Sequence, residues 1–188
     1  MARREPLAKN EDPDLSVKIA GVEFANPVFA ASGTFGYGSE YSTVLDVDSL
    51  GGICSKGLTL DGQPGNFGVR LIETPMGLIN SIGLENPGIK HLIENELPLM
   101  QKFKAKTIVN LSGKSLETYV EGAKLLDKTD APMIELNISC PNVKAGGMAF
   151  GMEPKAAASV VEAVRKTTKK PLMVKLSPNA PDLIGVAM

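Results

Sequence analysis

The sequence predicts an α/β fold made of repeated strand–helix units. Apolar stretches without alternation recur along the chain, as expected of parallel strands buried on both faces, at residues 27–33, 51–57, 107–113, 133–139 and 171–178. Segments with helical periodicity lie in the intervals between them, at residues 89–104, 116–128 and 154–169, with a shorter one near 40–46. Small or polar residues end each apolar stretch, so the repeating unit is strand, polar strand end, helix.

The region before the first repeat has two parts. Residues 1–14 are charged and contain proline, so we expect a loose polar tail, with the folded domain spanning residues 15–188. Residues 15–24 alternate apolar and polar side chains around Ala20-Gly21, which predicts a short β-hairpin.

Composition excludes several classes of protein. The 188 residues carry a net charge of −1, which leaves no basic footprint for nucleic acid, and no apolar stretch is long enough to span a membrane. The two cysteines predict no disulfide framework and fit a reducing cytoplasm, with Cys54 expected in the core. The single histidine, His91, argues against a zinc site, and we expect it on a helix surface or in packing.

The segment Glu135-Leu-Asn-Ile-Ser-Cys-Pro-Asn142 is the most informative part of the chain. It predicts a strand that ends at Cys140-Pro141, followed by a glycine-bearing loop at residues 143–151. In barrels and open α/β sheets, catalytic groups lie at this end of the strands. A lone cysteine is also often a small buried hydrophobe, and position alone does not decide between the two interpretations.

The other strand ends are polar as well. They carry Ser32-Gly33, Ser55-Lys56, Asn110 with Ser112-Gly113, Asn137 with Cys140, and Lys175 with Ser177. A lysine that ends an apolar strand is costly unless it meets a charge or a cavity, although a single one can reach solvent through its alkyl stem. Because the carboxyl ends of parallel strands lie at one edge, polar ends on all of them favour a shared binding site.

The connection at residues 59–86 is unusually long for a compact domain. Such loops are often functional, and Asn80, Ser81, Gly83 and Asn86 make this one polar with exposed backbone donors. An ordinary turn-rich excursion is the alternative interpretation.

Five repeats are too few to close an eight-stranded barrel, which needs roughly 250 residues. The chain is therefore either an open α/β sheet or the front part of a barrel, and the residue pattern alone leaves both possible.

Five motifs in a fixed order carry a resemblance to a known family. They are Ala31-Ser-Gly-Thr-Phe-Gly-Tyr-Gly38, Ser55-Lys-Gly57, Asn80-Ser-Ile-Gly-Leu-Glu-Asn86, Glu135-Leu-Asn-Ile-Ser-Cys-Pro-Asn142 and Val174-Lys-Leu-Ser-Pro178. From about Leu15 to the last residue, the chain resembles the catalytic subunit of class 1 dihydroorotate dehydrogenases, most closely the NAD-linked subclass (type 1B). The resemblance implies a TIM (β/α)8 barrel with an N-terminal β-hairpin, of which this chain covers about the first five βα units, and FMN over the carboxyl ends of the strands.

The resemblance also implies roles for individual residues. Cys140 would be the base that takes the C5 proton of dihydroorotate while C6 gives hydride to the flavin N5. Substrate-binding residues would be Lys56, Asn80, Gly83, Leu84, Asn137 and Asn142. Flavin-binding residues would be Ser32, Gly33, Ser55, Lys56, Asn110, Asn137 and Lys175, the last near the N1/O2 edge, where a cation would stabilise the reduced flavin. Residues 143–151 would form a lid, and no metal site is expected.

Partners and location follow from the same resemblance. Members of the NAD-linked subclass act in pyrimidine biosynthesis in the cytoplasm and pair with an iron–sulfur subunit that carries FAD and passes electrons to NAD. A homodimer of catalytic subunits within a heterotetramer is expected, with no nucleic acid or membrane. This chain has no Gly-x-Gly-x-x-Gly loop, so a direct NAD site is not expected.

Members of the family are about half as long again as this chain, as a closed barrel requires. The phosphate-binding glycines of their last strands have no counterpart here, so we expect the sequence to be part of a longer chain.

Two other functions remain open at this stage. A related flavin barrel acting on another dihydropyrimidine also carries an Asn-x-Ser-Cys-Pro segment, although Thr34-Phe-Gly-Tyr-Gly38 favours the NAD-linked class 1 enzymes. A non-catalytic half-barrel that serves as a binding or assembly module is the third possibility.

Overall fold

The computed structural model of the chain describes residues 13–139 and 148–188. Its first element is a hairpin of two antiparallel strands, β1 (Val17–Ile19) and β2 (Val22–Phe24). Ala20 and Gly21 form the turn with φ angles of 48° and 87°. Two residues with positive φ match the twist of the paired strands, and the predicted hairpin is confirmed.

Further strands and helices follow this hairpin. The strands are β3 (Phe29–Ala30), β4 (Gly52–Cys54), β5 (Leu71–Thr74), β6 (Gly77–Asn80), β7 (Lys106–Leu111), β8 (Met133–Asn137) and β9 (Leu172–Lys175). The helices are α1 (Ile89–His91), α2 (Leu97–Met100), α3 (Leu116–Asp127), α4 (Met148–Gly151), α5 (Pro154–Thr167) and α6 (Leu183–Ala187), with a π-helical segment (Leu92–Glu96) between α1 and α2. None of the helices described is long and apolar enough to cross a membrane.

The main sheet has the strand order β3-β4-β7-β8-β9, and every pairing in it is parallel. The strands therefore follow one another in chain order, as consecutive strands of a barrel do. Their carboxyl ends lie at one edge, and the register places Asn110 beside Glu135 and Asn137 beside Lys175.

The two faces of the sheet have different partners, because successive side chains of a strand point to opposite faces. One face packs against the helices in a large core that contains Ile53, Val109, Ile134, Tyr119 and Val160. The other face is the inner face of the curled sheet. At the amino ends of the strands, the inner face packs against the first hairpin in a smaller cluster of Phe24, Cys54, Ile108 and Met133. Cys54 thus lies in the core, as predicted.

Two helical predictions need correction. Residues 40–46 do not form an α-helix: they begin within a 3₁₀ turn (Ser39–Tyr41), continue as irregular turns, and stop just before a second 3₁₀ turn (Val47–Ser49). The Asp46 side chain accepts a hydrogen bond from Asp48 N and starts a new turn there, a local bond that competes with helix. The helix predicted at 89–104 ends at Met100 and is irregular because Pro98, inside it, has no N–H to donate.

The long connection at residues 59–86 contains a hairpin, β5–β6, that the sequence did not predict. Every side chain in this hairpin is exposed or partly exposed, so its sequence lacks the alternation of a half-buried strand. Large apolar side chains exposed on this connection are Phe67, Val69, Leu71, Ile72, Met76, Leu78 and Ile79. Contiguous exposed apolar patches are typical of contact sites.

Candidate functional site

The polar residues at the carboxyl ends of the strands converge in one hydrogen-bonded network. Lys175 Nζ donates to Ser32 Oγ at 2.9 Å, and Ser32 Oγ donates to Glu135 Oε1 at 3.0 Å. The Asn110 side-chain amide donates to Ser32 Oγ at 3.0 Å and also to Glu135 Oε1. The ends of β3, β7, β8 and β9 are thereby joined on the inner face of the sheet.

The network continues outward along β8. Asn137 Nδ2 donates to Asn110 Oδ1 at 3.1 Å, and Asn137 Oδ1 accepts from the backbone N and the hydroxyl of Ser139, at 3.1 and 2.8 Å. Both amides therefore have a defined orientation. Asn110, Glu135 and Asn137 are all buried, so water does not compete for these bonds.

Strand geometry explains why these residues meet. Glu135 and Asn137 are two residues apart on β8 and share its inner face. The parallel register puts Asn110 beside Glu135 and Lys175 beside Asn137. Sequence periodicity predicts the shared face, whereas the pairing arises only in the assembled sheet.

Two predicted residues that directly follow β4, Ser55 and Lys56, have different surroundings. The Ser55 hydroxyl donates to Lys56 O and accepts from Asn110 N, both at 3.0 Å, so this fully buried side chain joins neighbouring strands. Lys56 is partly exposed and lines a separate cleft of about 580 Å³ together with Tyr37, Asp61 and Asn86.

Tyr37 gives this cleft an unusual polar group. Its hydroxyl is buried without a hydrogen-bond partner among the described residues. Burial, followed by the negative charges of Glu96 and Glu40, raises the pKa of Tyr37 to about 12. The phenol is therefore neutral near pH 7.

Gly33 lies at the rim of the network, just after β3. Its φ of 94° favours glycine, and a Cβ placed there would meet no atom within 4 Å. The end of β3 therefore faces open space directly after Ser32.

The polar loop at residues 59–86, which is predicted to contact substrate, approaches the network through Leu84. A Cβ on Gly57 would lie 3.0 Å from both Leu84 Cδ1 and Asn110 Oδ1, so the Leu84 side chain lies close to Asn110. Gly83 and Leu84 both have positive φ, and the carbonyl of Gly83 accepts from Gln63 Nε2. Asn80 is exposed at the end of β6, and among the described residues no side-chain hydrogen bond joins it to the network.

Cys140 and Asn142 lie outside the described residues, as does most of the predicted lid at residues 143–151. Their roles therefore remain predictions.

Sequence reasoning assigned neither Ser139 nor Glu135 to the site, and Glu135 is the charged one of the two. Its signal was present: a carboxylate in an otherwise apolar strand needs donors around it. Cys54 lies beneath this carboxylate, and burial, reinforced by the negative charge of Glu135, raises the pKa of the Cys54 thiol well above its ordinary value. The Cys54 thiol is therefore protonated near pH 7 and does not act as a nucleophile.

A second cavity, of about 600 Å³, has a different character. It lies among α5, β9 and α6, and its lining is mainly apolar, with Ala157, Val161, Val174 and Val186 among its walls. Val174 points to the helix side of β9, opposite Lys175, so this cavity is separate from the polar network.

His91 is a surface residue, as predicted. Its side chain is 46% exposed, and Nε2 lies 3.6 Å from Glu96 Oε1. Among the residues whose structure is described, no group of three or more His, Cys, Asp or Glu side chains is arranged to hold a metal ion.

Comparison with known proteins agrees with this fold. The family model described as dihydroorotate dehydrogenase matches residues 14–187. The protein of Petrotoga mobilis named "Dihydroorotate dehydrogenase B (NAD(+)), catalytic subunit" is 52% identical over 174 residues, which is 93% of this chain and 58% of that protein. The protein of the same name from Bacteroides thetaiotaomicron is 49% identical over 175 residues, with the same coverage.

A solved structure shares the fold. The dihydroorotate dehydrogenase of Eimeria tenella, crystallised with ferulenol, superimposes with a TM-score of 0.70 at 21% identity, over 96% of this chain and 57% of that one. The predicted barrel architecture, with this chain supplying its consecutive first strands, is thereby confirmed. The chain spans about 58% of the length of the curated relatives it matches. By its match to the family model along nearly its whole length, this chain belongs to the dihydroorotate dehydrogenase family.

Proposed function

We propose that this chain forms the catalytic face of an NAD-linked dihydroorotate dehydrogenase, which oxidises (S)-dihydroorotate to orotate in pyrimidine biosynthesis with FMN as hydride acceptor. The observation that carries the proposal is the strand-end network. An ammonium group and two buried, oriented amides lie at one edge of a parallel sheet, where barrel enzymes bind ligands. The names of relatives at about half identity support the same reaction.

The residues present fit a flavin. Lys175 donates to Ser32 Oγ, the one hydrogen-bond acceptor that the described residues give it, and so retains N–H groups for a ligand. The open space at Gly33 would admit a flat ring beside this ammonium group. Bound FMN would supply an acceptor for hydride at N5, and a cation near its N1/O2 edge favours the reduced form. Residues proposed to hold it are Ser32, Gly33, Ser55, Lys56, Asn110, Asn137 and Lys175.

The substrate would lie on the outer side of this network. Asn137, with a partner at both ends of its amide, is preorganised to bind the polar edge of a pyrimidine ring. Lys56, Asn80 and Asn142, with the backbone of Gly83 and Leu84, are proposed to complete the substrate site. Cys140 is proposed to remove the C5 proton.

The electrons would leave through a partner. Relatives of this chain are named catalytic subunits, which supports a separate partner subunit. We propose that the partner is an iron–sulfur subunit with FAD, in a cytoplasmic heterotetramer built around a homodimer of catalytic subunits. The exposed apolar side chains of the β5–β6 hairpin support a protein contact on this chain.

Anaerobic mixing of the intact, purified protein with candidate substrates tests the reaction. Dihydroorotate should bleach the visible flavin absorbance in a single rapid phase, whereas dihydrouracil and dihydrothymine should leave it unchanged. Faster bleaching by either of these would indicate a flavin barrel for another dihydropyrimidine. A colourless protein that neither binds FMN nor turns over dihydroorotate would indicate a non-catalytic module.

A further inference from the structure

The proposed reaction assigns no role to Glu135, although this carboxylate is the centre of the network. Glu135 is buried at the middle of β8. Its side chain accepts hydrogen bonds from Ser32 Oγ and Asn110 Nδ2, and its negative charge contributes to the raised pKa of the Cys54 thiol. An ionised carboxylate only accepts hydrogen bonds, so it fixes the direction of each donor around it.

The first consequence concerns the amides. Because Glu135 takes the Nδ2 group of Asn110, Asn110 Oδ1 is left to accept from Asn137 Nδ2. Asn137 Oδ1 must then accept from Ser139. Without the carboxylate, the Asn110 amide could rotate by half a turn, and the donor and acceptor ends of Asn137 would no longer be defined.

The second consequence concerns charge. Lys175 and Glu135 contact the same hydroxyl, with Ser32 Oγ accepting from the ammonium group at 2.9 Å and donating to the carboxylate at 3.0 Å. The negative charge therefore offsets part of the positive charge that Lys175 presents to the site. In a buried setting such charges are screened little by salt.

We propose that Glu135 is a positioning residue that orients the Asn110–Asn137 amide pair and, by offsetting the charge of Lys175, sets the reduction potential of the bound flavin. The redox part of this inference rests on the proposed function, because it requires a bound flavin. The amide orientation depends on the protein alone.

Glu135→Gln tests the charge, because glutamine keeps the size of the side chain and an acceptor oxygen. In the intact, flavin-loaded protein, we expect the midpoint potential to rise, with reduced flavin bound about tenfold more tightly relative to oxidised flavin. Lys175→Met should shift the potential in the opposite direction. Glu162→Gln is the matched control, since Glu162 is on α5 and its side chain is 69% exposed. A Glu135→Gln variant that is less stable but has an unchanged potential would overturn the redox half.

Side-chain NMR tests the orientation without any flavin. A charged acceptor makes a stronger hydrogen bond than a neutral one. The Asn110 side-chain amide proton should therefore move upfield and exchange faster with solvent in Glu135→Gln, and remain unchanged in Glu162→Gln. Unchanged Asn110 and Asn137 amide signals in Glu135→Gln would overturn the positioning role. A colourless wild-type protein would instead overturn the proposed function and, with it, the redox half.

Discussion

The Tyr119 hydroxyl donates a 2.7 Å hydrogen bond to the backbone carbonyl of Asn137. Tyr119 is fully buried on α3, and Asn137 is the last residue of β8. The bond ties the helix layer to the strand end whose side-chain amide points into the site. Packing outside the sheet thus fixes the position of a residue inside it.

Tyr119→Phe removes this bond while keeping the ring. The Asn137 carbonyl would then lack its donor in a buried setting, so we expect the free energy of unfolding to fall by about 1–3 kcal/mol, measured by urea denaturation. Tyr41→Phe is the matched control. The Tyr41 hydroxyl donates to Thr34 O at 2.8 Å, but this bond is exposed and water can replace it. Equal losses in the two variants would show that burial of the Asn137 carbonyl is not the cause.

The strand-end lysines predict a redox effect. In the flavin-loaded protein, Lys175→Met and Lys56→Met should each lower the midpoint potential of the flavin or weaken its binding, because a positive charge near the ring favours the reduced anion. Methionine keeps the apolar stem, so lost packing does not confound the result. Lys155→Met, an exposed change on α5, is the control. If neither strand-end variant differs from this control in flavin midpoint potential or flavin binding, measured by spectroelectrochemical titration, then both lysines only extend their ammonium groups into solvent.

The thiol at position 140 makes a kinetic prediction. Cys140→Ala should retain FMN and orotate binding but lose turnover by roughly a hundredfold to ten-thousandfold, the usual contribution of a general base. Cys140→Ser should keep a small activity that rises at high pH, since an alcohol is a poorer base than a thiolate. Lys155→Met, the exposed change on α5, serves as the control. Turnover of Cys140→Ala within a few-fold of wild type would rule out the base assignment.

The sequence predicts which residues lie at the strand ends better than it predicts their hydrogen-bond partners. Because side chains two residues apart on a strand share a face, the predicted strand at 133–139 places Glu135 and Asn137 together, and both lie on the inner face in the structure. The partner of Glu135 could not be predicted, because Ser32 is 103 residues earlier and reaches it only through the register of the assembled sheet. The β5–β6 hairpin was missed for a different reason. Its exposed strands bury no face, and without a buried face there is no periodic signal.

A carboxylate at the end of α3 predicts that the stability of the folded protein depends on pH. Asp127 is the last residue of that helix, and its carboxylate accepts from Thr168 Oγ1 and from Lys169 N, which lie between α5 and β9. The side-chain hydrogen bond from Thr168, followed by the backbone bond from Lys169, lowers the pKa of Asp127 below its ordinary value of 3.8. The folded protein therefore holds the ionised form more favourably than the unfolded chain does.

The sign of the effect follows from linkage. A carboxyl whose pKa is lower in the folded state stabilises the protein at pH values above its unfolded pKa, and this stabilisation is lost as the pH falls through the folded pKa. Asp127→Asn should therefore melt at a lower temperature than wild type at pH 7, and the gap should close below about pH 4. Asp130→Asn, an exposed change three residues later, should show no such convergence. A gap for Asp127→Asn that stays constant from pH 7 to about pH 3 would mean that the shape of the amide, rather than the lost charge, destabilises the junction between α3 and β9.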